Sequence, residues 1–269
     1  MKMSLFDLPG ELSRIQAFLR RNWIMSKRNV FTLFEILFWP GVGLASVGLL
    51  TEFLALSGSM RSFILIGVIS MGTIQVCQLD VAYVLLYDVW SKSVKHAFMA
   101  PVGIRHFLVG SWLAGMLRGI IVFGILAAIS ALFFGFDLRP AGVPVVLIFL
   151  FGLFLNALLI GLSVCILVLL VGHRAEVTAW SLVSLMMLVC GIYYPVTILP
   201  APFVLLARLF PLTYLLDYFR SFYGVKASFS HGLATAYLMA LAYGIVAVVG
   251  LRAAIGRARR SGILLRLSE

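Results

Sequence analysis

The sequence contains few charged residues for its size. Of its 269 residues only 12% are charged, whereas 62% are hydrophobic and the mean hydropathy is +1.10. An ordinary soluble domain is about half apolar and about a quarter charged, so a water-soluble fold could not bury this much apolar surface. The composition therefore excludes a soluble globular protein and predicts a polytopic integral membrane protein.

Two signatures of nucleotide and nucleic-acid binding are also missing. No segment reads Gly-x-x-x-x-Gly-Lys followed by Ser or Thr, so the chain is not expected to bind ATP through a P-loop. The formal net charge is +11, but the basic residues lie between or outside the apolar runs and never form a continuous stripe. Nucleic acid is therefore not an expected partner.

Cysteine is scarce, and its spacing suggests no chemistry. Cys77, Cys165 and Cys190 each lie inside an apolar segment, with no Cys-x-x-Cys pair and no histidine four residues away. This favours a packing role over a disulfide or a metal site. We expect no cofactor on this chain. The first 29 residues also lack a signal-peptide pattern, so the first hydrophobic segment is expected to be retained.

Long apolar segments are the main feature of the sequence. A bilayer core about 30 Å thick needs roughly 20 apolar residues of helix. Six stretches approach or exceed this length: 30–50, 62–87, 107–134, 144–171, 177–192 and 233–251. The fifth is short, and the apolar stretch after it is broken by Pro195, Pro200, Pro202 and Pro211, which forbid one continuous helix. We predict an all-α membrane protein with a six-span domain at 30–251.

The positions of the basic residues predict the orientation. Of the 21 Lys and Arg residues, fifteen fall in segments that are inside if the N-terminus is inside, five fall in the outer segments, and Arg118 lies within the third span. Because Lys and Arg accumulate on the cytoplasmic side, both termini are expected in the cytoplasm. Residues 252–269 would then form a cytoplasmic basic tail. We expect the protein in the inner (plasma) membrane of a bacterial cell.

Residues 1–29 are predicted to form a cytoplasmic amphipathic helix. Apolar residues recur at three- and four-residue steps, with arginines between them, at Leu8, Leu12, Ile15, Leu19 and Trp23. A helix of this kind beside a span usually lies in the headgroup layer and contacts membrane lipid. The alternative is a cytoplasmic tail that packs on nothing.

A second amphipathic segment lies between spans two and three. Trp90, Val94 and Phe98 share one helical face, and Pro101 stops the helix. A short amphipathic helix in the cytoplasm suits a groove on another protein. The other interpretation is a helix that rests on the lipid surface.

Two segments carry a family resemblance. The first is Asp88 at the end of span two, then Ala100-Pro101 and Arg105, although Ser91-Lys92-Ser93 replaces the usual Gly-Thr. The second is Gly191-Ile-Tyr-Tyr194-Pro195-Val-Thr-Ile-Leu-Pro200, followed by Pro211-Leu-Thr-Tyr214 and Arg220. Together with the six spans, they make the chain resemble the ABC-2 type transporter permeases over essentially its whole length.

The resemblance implies a homodimer of six-span subunits, each bound to a separate ABC ATPase subunit that carries ATP and Mg. Its fold would be six transmembrane helices with an N-terminal interfacial helix, a cytoplasmic coupling helix and a re-entrant helical hairpin between spans five and six. The residues of ATPase coupling would be Asp88, Trp90, Val94, Phe98, Pro101 and Arg105. The outer gate would comprise Tyr194, Pro195, Pro200, Pro211, Tyr214 and Arg220.

Three charges lie inside predicted spans, namely Glu35, Asp80 and Arg118. An unpaired arginine within the bilayer costs at least about 2.5 kcal/mol, so Arg118 should have a partner. We expect it to pair with Glu35 or Asp80, either as a structural pin between helices or as a substrate contact.

From these features we expect the chain to be the permease subunit of an ATP-driven exporter. Its cargo would be a lipid-linked glycan, a lipid or an amphipathic small molecule. One alternative is a secondary transporter or channel driven by an ion gradient. That class typically shows paired broken helices in inverted repeats, and only one broken element is visible. An intramembrane enzyme would need clustered catalytic residues at one membrane face, and the sequence shows none.

Overall fold

The computed structural model describes residues 8–28, 30–90, 104–172 and 176–260, and this part of the chain is helical without any β-strand. It contains nine α-helices: α1, Leu8–Arg28; α2, Val30–Phe53; α3, Gly58–Trp90; α4, Ile104–Phe134; α5, Gly142–Val171; α6, Glu176–Val189; α7, Ala201–Ala207; α8, Pro211–Arg220; and α9, Gly232–Arg260. Two short 3-10 helices, Val196–Ile198 and Ser221–Tyr223, lie beside α7 and α8.

Five of the described helices, α2, α3, α4, α5 and α9, are long and apolar enough to cross a membrane. They form because a helix satisfies its own backbone hydrogen bonds, which an apolar chain in lipid cannot satisfy elsewhere. The prediction of an all-α membrane protein is therefore confirmed, with apolar helices at the first four and the last of the predicted spans.

The region of the predicted fifth span is shorter and broken. Helix α6 has 14 residues, which is about 21 Å and less than the roughly 30 Å hydrocarbon core. The chain then turns at Gly191, whose φ of +73° favours glycine. Pro200 precedes α7 and Pro211 begins α8, and the axes of the two helices meet at 89°. The break predicted from the prolines is thus present.

Helix α3 is the centre of the bundle. In its apolar window 78% of the residues are buried, against 17% in α9. It packs against α2, α4, α5, α6 and α8. Small residues allow these close crossings, as at Gly161 of α5, where a Cβ atom would lie 3.3 Å from the Gln78 carbonyl oxygen of α3.

The two ends of the bundle have separate cores. Leu86 at the end of α3, Phe107 at the start of α4, Val168 near the end of α5 and Ala254 near the end of α9 belong to one apolar cluster. We call this end, where α1 also lies, the α1 end. The larger cluster occupies the rest of the bundle, between α3, α4, α5, α8 and the start of α9.

Candidate functional site

The broken element between α6 and α9 is held in place by a buried arginine. Arg220, at the end of α8, is 3% exposed. Its Nη1 and Nη2 donate to the carbonyl oxygens of Gly191 and Ile192, at 2.6 and 2.8 Å, and its Nε donates to the Phe63 carbonyl oxygen of α3 at 3.1 Å. The guanidinium therefore satisfies the carbonyl groups that the turn after α6 leaves without helical partners.

The tyrosines of the predicted outer gate also close turns. Tyr194 donates its hydroxyl to the Leu188 carbonyl oxygen at 2.5 Å, and Tyr214 donates to the Arg208 carbonyl oxygen at 3.1 Å. Between the two short helices, Thr213 donates to the carbonyl oxygen of Ala207 at 2.8 Å.

The prolines of the same set lie at helix starts. Pro195 precedes the 3-10 helix, Pro200 precedes α7, and Pro211 is the first residue of α8. At such positions the absence of an N–H group costs nothing. All six predicted gate residues thus lie in one compact element that packs against α3 and α9.

A second polar constellation joins three helices. Arg118 of α4 forms an ion pair with Asp80 of α3 and donates from Nη2 to the Asn22 carbonyl oxygen of α1 at 3.2 Å. Both side chains of the pair are mostly buried, at 14% and 13% exposure. Of the two acidic partners allowed by the sequence, the structure places Asp80 against Arg118, whereas the side chain of Glu35 lies outside the described part.

The ion pair borders a small cavity. Trp39, Tyr83 and Trp180 line a space of about 160 Å³ together with Asp80 and Arg118. Within the described part of the chain, Oδ2 of Asp80 has no hydrogen-bond partner. The cavity therefore combines aromatic walls with one buried carboxylate oxygen that could accept a hydrogen bond.

Helix α1 is docked along the first turns of α4. Nε2 of His106 lies 2.6 Å from Oε2 of Glu11, and Asn22 donates to the Ser111 hydroxyl at 2.8 Å. The rings of Phe18 and Phe107 meet edge to face, with centroids 4.7 Å apart. Sequence reasoning did not assign a role to His106 or Asn22, since a partner in a distant helix leaves no local pattern.

Comparison with known proteins decides the family. The family model described as ABC-2 type transporter matches residues 13–224, which is more than half of the chain. The chain belongs to the ABC-2 type transporter family. A protein of Archaeoglobus fulgidus described as uncharacterized is 54% identical to this ABC-2 protein over 56 residues, which are 21% of this chain and 88% of the relative.

Membership of the ABC-2 family confirms the resemblance stated above. It makes the chain a multi-pass permease component of an ABC transporter, and such a component is not itself the catalytic subunit.

The residues predicted to couple this ABC-2 permease to an ATPase fall at the edge of the described structure. Asp88 and Trp90 lie in the last turn of α3 and Arg105 in the first turn of α4, and their side chains are outside the described part. Val94, Phe98 and Pro101 also lie outside the described residues. The coupling role of this set stays a prediction.

Proposed function

We propose that this ABC-2 permease exports an amphipathic cargo, powered by a separate ATPase subunit that binds ATP and Mg. The observation that carries the proposal is the broken element of α7 and α8, fixed by Arg220 against the end of α6 and the start of α3. Non-helical backbone within an apolar bundle is tolerated only where protein or a water-filled cavity supplies hydrogen-bond partners for its N–H and C=O groups. Such a segment therefore suits a gate.

The proposed layout has six spans. Helix α6, with the turn that follows it, makes the fifth crossing, and α7 and α8 form a re-entrant hairpin at the outer face. The distribution of Lys and Arg supports this layout, because it places both termini and the α1 end of the bundle in the cytoplasm. Helix α1 then lies at the cytoplasmic headgroup layer.

The proposed assembly is a homodimer with two ATPase subunits. Helix α6 supports a path between two copies, since Trp180 and Leu188 are 42% and 50% exposed on its outer face, next to Ser181 and Ser184. Cargo of the lipid, lipid-linked glycan or drug-like class suits a path with apolar and aromatic walls and few polar groups.

Coupling to the ATPase is assigned to the segment after α3, through Trp90, Val94 and Phe98. The test is co-purification of a tagged permease with its ATPase subunit. Trp90→Ala combined with Phe98→Ala should remove most of the bound ATPase while the permease itself still purifies as a folded protein. Phe133→Ala is the matched control, because Phe133 is 72% exposed at the other end of the bundle.

Unchanged ATPase binding by the double variant would contradict the coupling role. Export itself is tested in proteoliposomes that contain both subunits. Cargo accumulation should require hydrolysable ATP and persist when ionophores collapse every ion gradient. Accumulation that followed an ion gradient without ATP would favour a secondary transporter instead.

A further inference from the structure

A groove of about 490 Å³ lies between α5, α6 and α9, beside the corner where α7 leads into α8. One wall is a single face of α5, made of Asn156, Leu159, Ile160, Ser163 and Ile166. Helix α9 contributes a second wall that includes Tyr243, Ala247 and Gly250. We call this space the α5–α9 groove.

The α5–α9 groove is apolar. Among the described residues that line it, none is charged. The polar ones each donate a hydrogen bond to a backbone carbonyl oxygen: Asn156 to Gly152 at 2.9 Å, Ser163 to Leu159 at 2.8 Å and Tyr243 to Leu209 at 2.9 Å. An apolar cavity holds water poorly and takes apolar ligands instead. The lining therefore suits a hydrocarbon chain and offers no charge to a headgroup.

The groove lies inside two apolar spans. Its α5 wall, residues 156–166, falls within Gly142–Val171, and its α9 wall, residues 243–250, falls within Gly232–Ala258. Ten residues of helix rise about 15 Å, which is half of a hydrocarbon core of about 30 Å. This is the thickness of one leaflet, so the groove has the length that one acyl chain covers.

The broken element covers one end of the groove. Leu209, Phe210 and Pro211 line it at the corner between α7 and α8. Helix α8 then runs along α5 away from Ile166, since a Cβ atom at Gly152 would lie 2.7 Å from Leu215. The corner thus lies at the Asn156 end of the groove, and a chain would enter from the opposite end, beside Ile166 and Gly250.

From these observations we propose that one acyl chain of a membrane lipid occupies the α5–α9 groove, with its methyl end against the corner and its headgroup outside the groove. The chain contacts α5, α9 and the corner at once, so it supports the broken element from within the membrane. The lipid is a resident ligand of the permease, and its binding requires neither ATP nor cargo.

The experiment is photolabelling of the purified full chain in vesicles of phosphatidylcholine. A small fraction of the lipid carries a diazirine in one acyl chain, and mass spectrometry of peptides locates the labels after irradiation. A diazirine near the terminal methyl group should label residues around Asn156 and Phe210. A diazirine closer to the ester should shift the labels toward Ile166 and Gly250. Ile160 is only 6% exposed, so its labelling would report a chain inside the groove.

A variant that fills the groove provides a second test. Ala247→Trp adds a large side chain to the α9 wall and should remove most of the labelling of the α5 wall. The matched control is Ile245→Trp, at a position that is 60% exposed and outside the lining; it should be labelled as the unmodified protein is. Leu241, which is 64% exposed on α9, should be labelled in both variants, because lipid still surrounds the helix.

The outcomes that overturn the proposal are distinct. An α5 wall left unlabelled while Leu241 is labelled would mean that the groove is closed to lipid, as it would be under a second copy of the chain. Labelling of the α5 wall that survives in folded Ala247→Trp would show that the chain lies elsewhere. If that variant does not fold, the two diazirine positions still decide in the unmodified protein, because labels that do not move with the diazirine would overturn the bound chain.

Discussion

The guanidinium group of Arg220 lies over the ring of Phe63, with Cζ 3.5 Å from the ring centroid. This contact joins the end of α8 to the first turns of α3, the central helix of the bundle. The same guanidinium donates to the Phe63 carbonyl oxygen, so the ring and the backbone of one residue both hold it. One side chain thus links the broken element directly to the central helix of the bundle.

Arg220→Lys is predicted to destabilise the protein although it keeps the charge. An ammonium group cannot reproduce three donors in a planar fork or stack on a ring in the same way. At least one buried carbonyl group would lose its donor, at a cost of about 1–3 kcal/mol. The unfolding midpoint in detergent should fall clearly, while Arg208→Lys, at an exposed position, should leave it unchanged. Equal midpoints for both variants would contradict the structural role of Arg220.

Gly67→Ala tests the same junction from α3. A Cβ atom at Gly67 would overlap the carbonyl oxygen of Ile192 and lie 2.8 Å from Nη2 of Arg220. We expect the variant to lose folded yield in fluorescence-detected size-exclusion chromatography. The control is Gly124→Ala, since nothing lies within 4 Å of a Cβ atom there; alanine also favours a helix over glycine by roughly 1 kcal/mol. A normal yield for Gly67→Ala would show that α8 can move away freely.

The ion pair of Arg118 and Asp80 predicts a specific double-mutant result. Arg118→Leu or Asp80→Leu alone leaves a buried charge without its partner, which typically costs about 3–5 kcal/mol. The double variant removes both charges and should recover much of the lost stability in thermal unfolding measurements. Absence of such recovery would contradict the pairing of Arg118 with Asp80. A charge swap then tests the alternative: rescue of Arg118→Glu by Glu35→Lys and not by Asp80→Lys would identify Glu35 as the partner.

Gly110→Ala is predicted to loosen α1 from the bundle. A Cβ atom at Gly110 would lie 2.7 Å from Cβ of Phe18 and 3.0 Å from the carbonyl oxygen of Ile15, so α1 must shift outward. Trypsin should then cleave at the arginines of α1 several-fold faster than in the unmodified protein. Gly244→Ala, in open surroundings on α9, should have the parent rate. An unchanged rate for Gly110→Ala would contradict the close packing of α1 on α4 at this position.

Most of the helices could be predicted from the sequence, because the length and apolar composition of a segment are enough to identify a membrane helix. It also predicted the break after α6, since prolines such as Pro200 and Pro211 act locally on the backbone. An arginine within an apolar run must find a partner, and this reasoning limited the choice for Arg118 to two residues. The choice between them depends on helix register, which hydropathy does not encode.

Other parts of the candidate site could not be predicted for a physical reason. The family resemblance placed Arg220 in the outer gate, but its hydrogen-bond partners were not predicted, because charge counting treated it as an outer basic residue exposed to water. Its partners are backbone carbonyl groups of a distant turn and of α3, and every residue has such a group. In the same way, the docking of α1 depends on Glu11, Asn22 and Phe18 meeting α4, and the amphipathic pattern shows only that α1 has an apolar face.

The low burial of α9 has a practical consequence for spectroscopic work. Most of its surface points away from the other described helices, and Leu241, Val246 and Val249 are 64%, 68% and 60% exposed. Cysteines introduced there would remove almost no packing. The three native cysteines are buried and form no disulfide, so they should react slowly with thiol reagents. Spin or fluorescent labels on α9 would therefore perturb the protein little. Distances from these labels to a label on the broken element would report movements of that element.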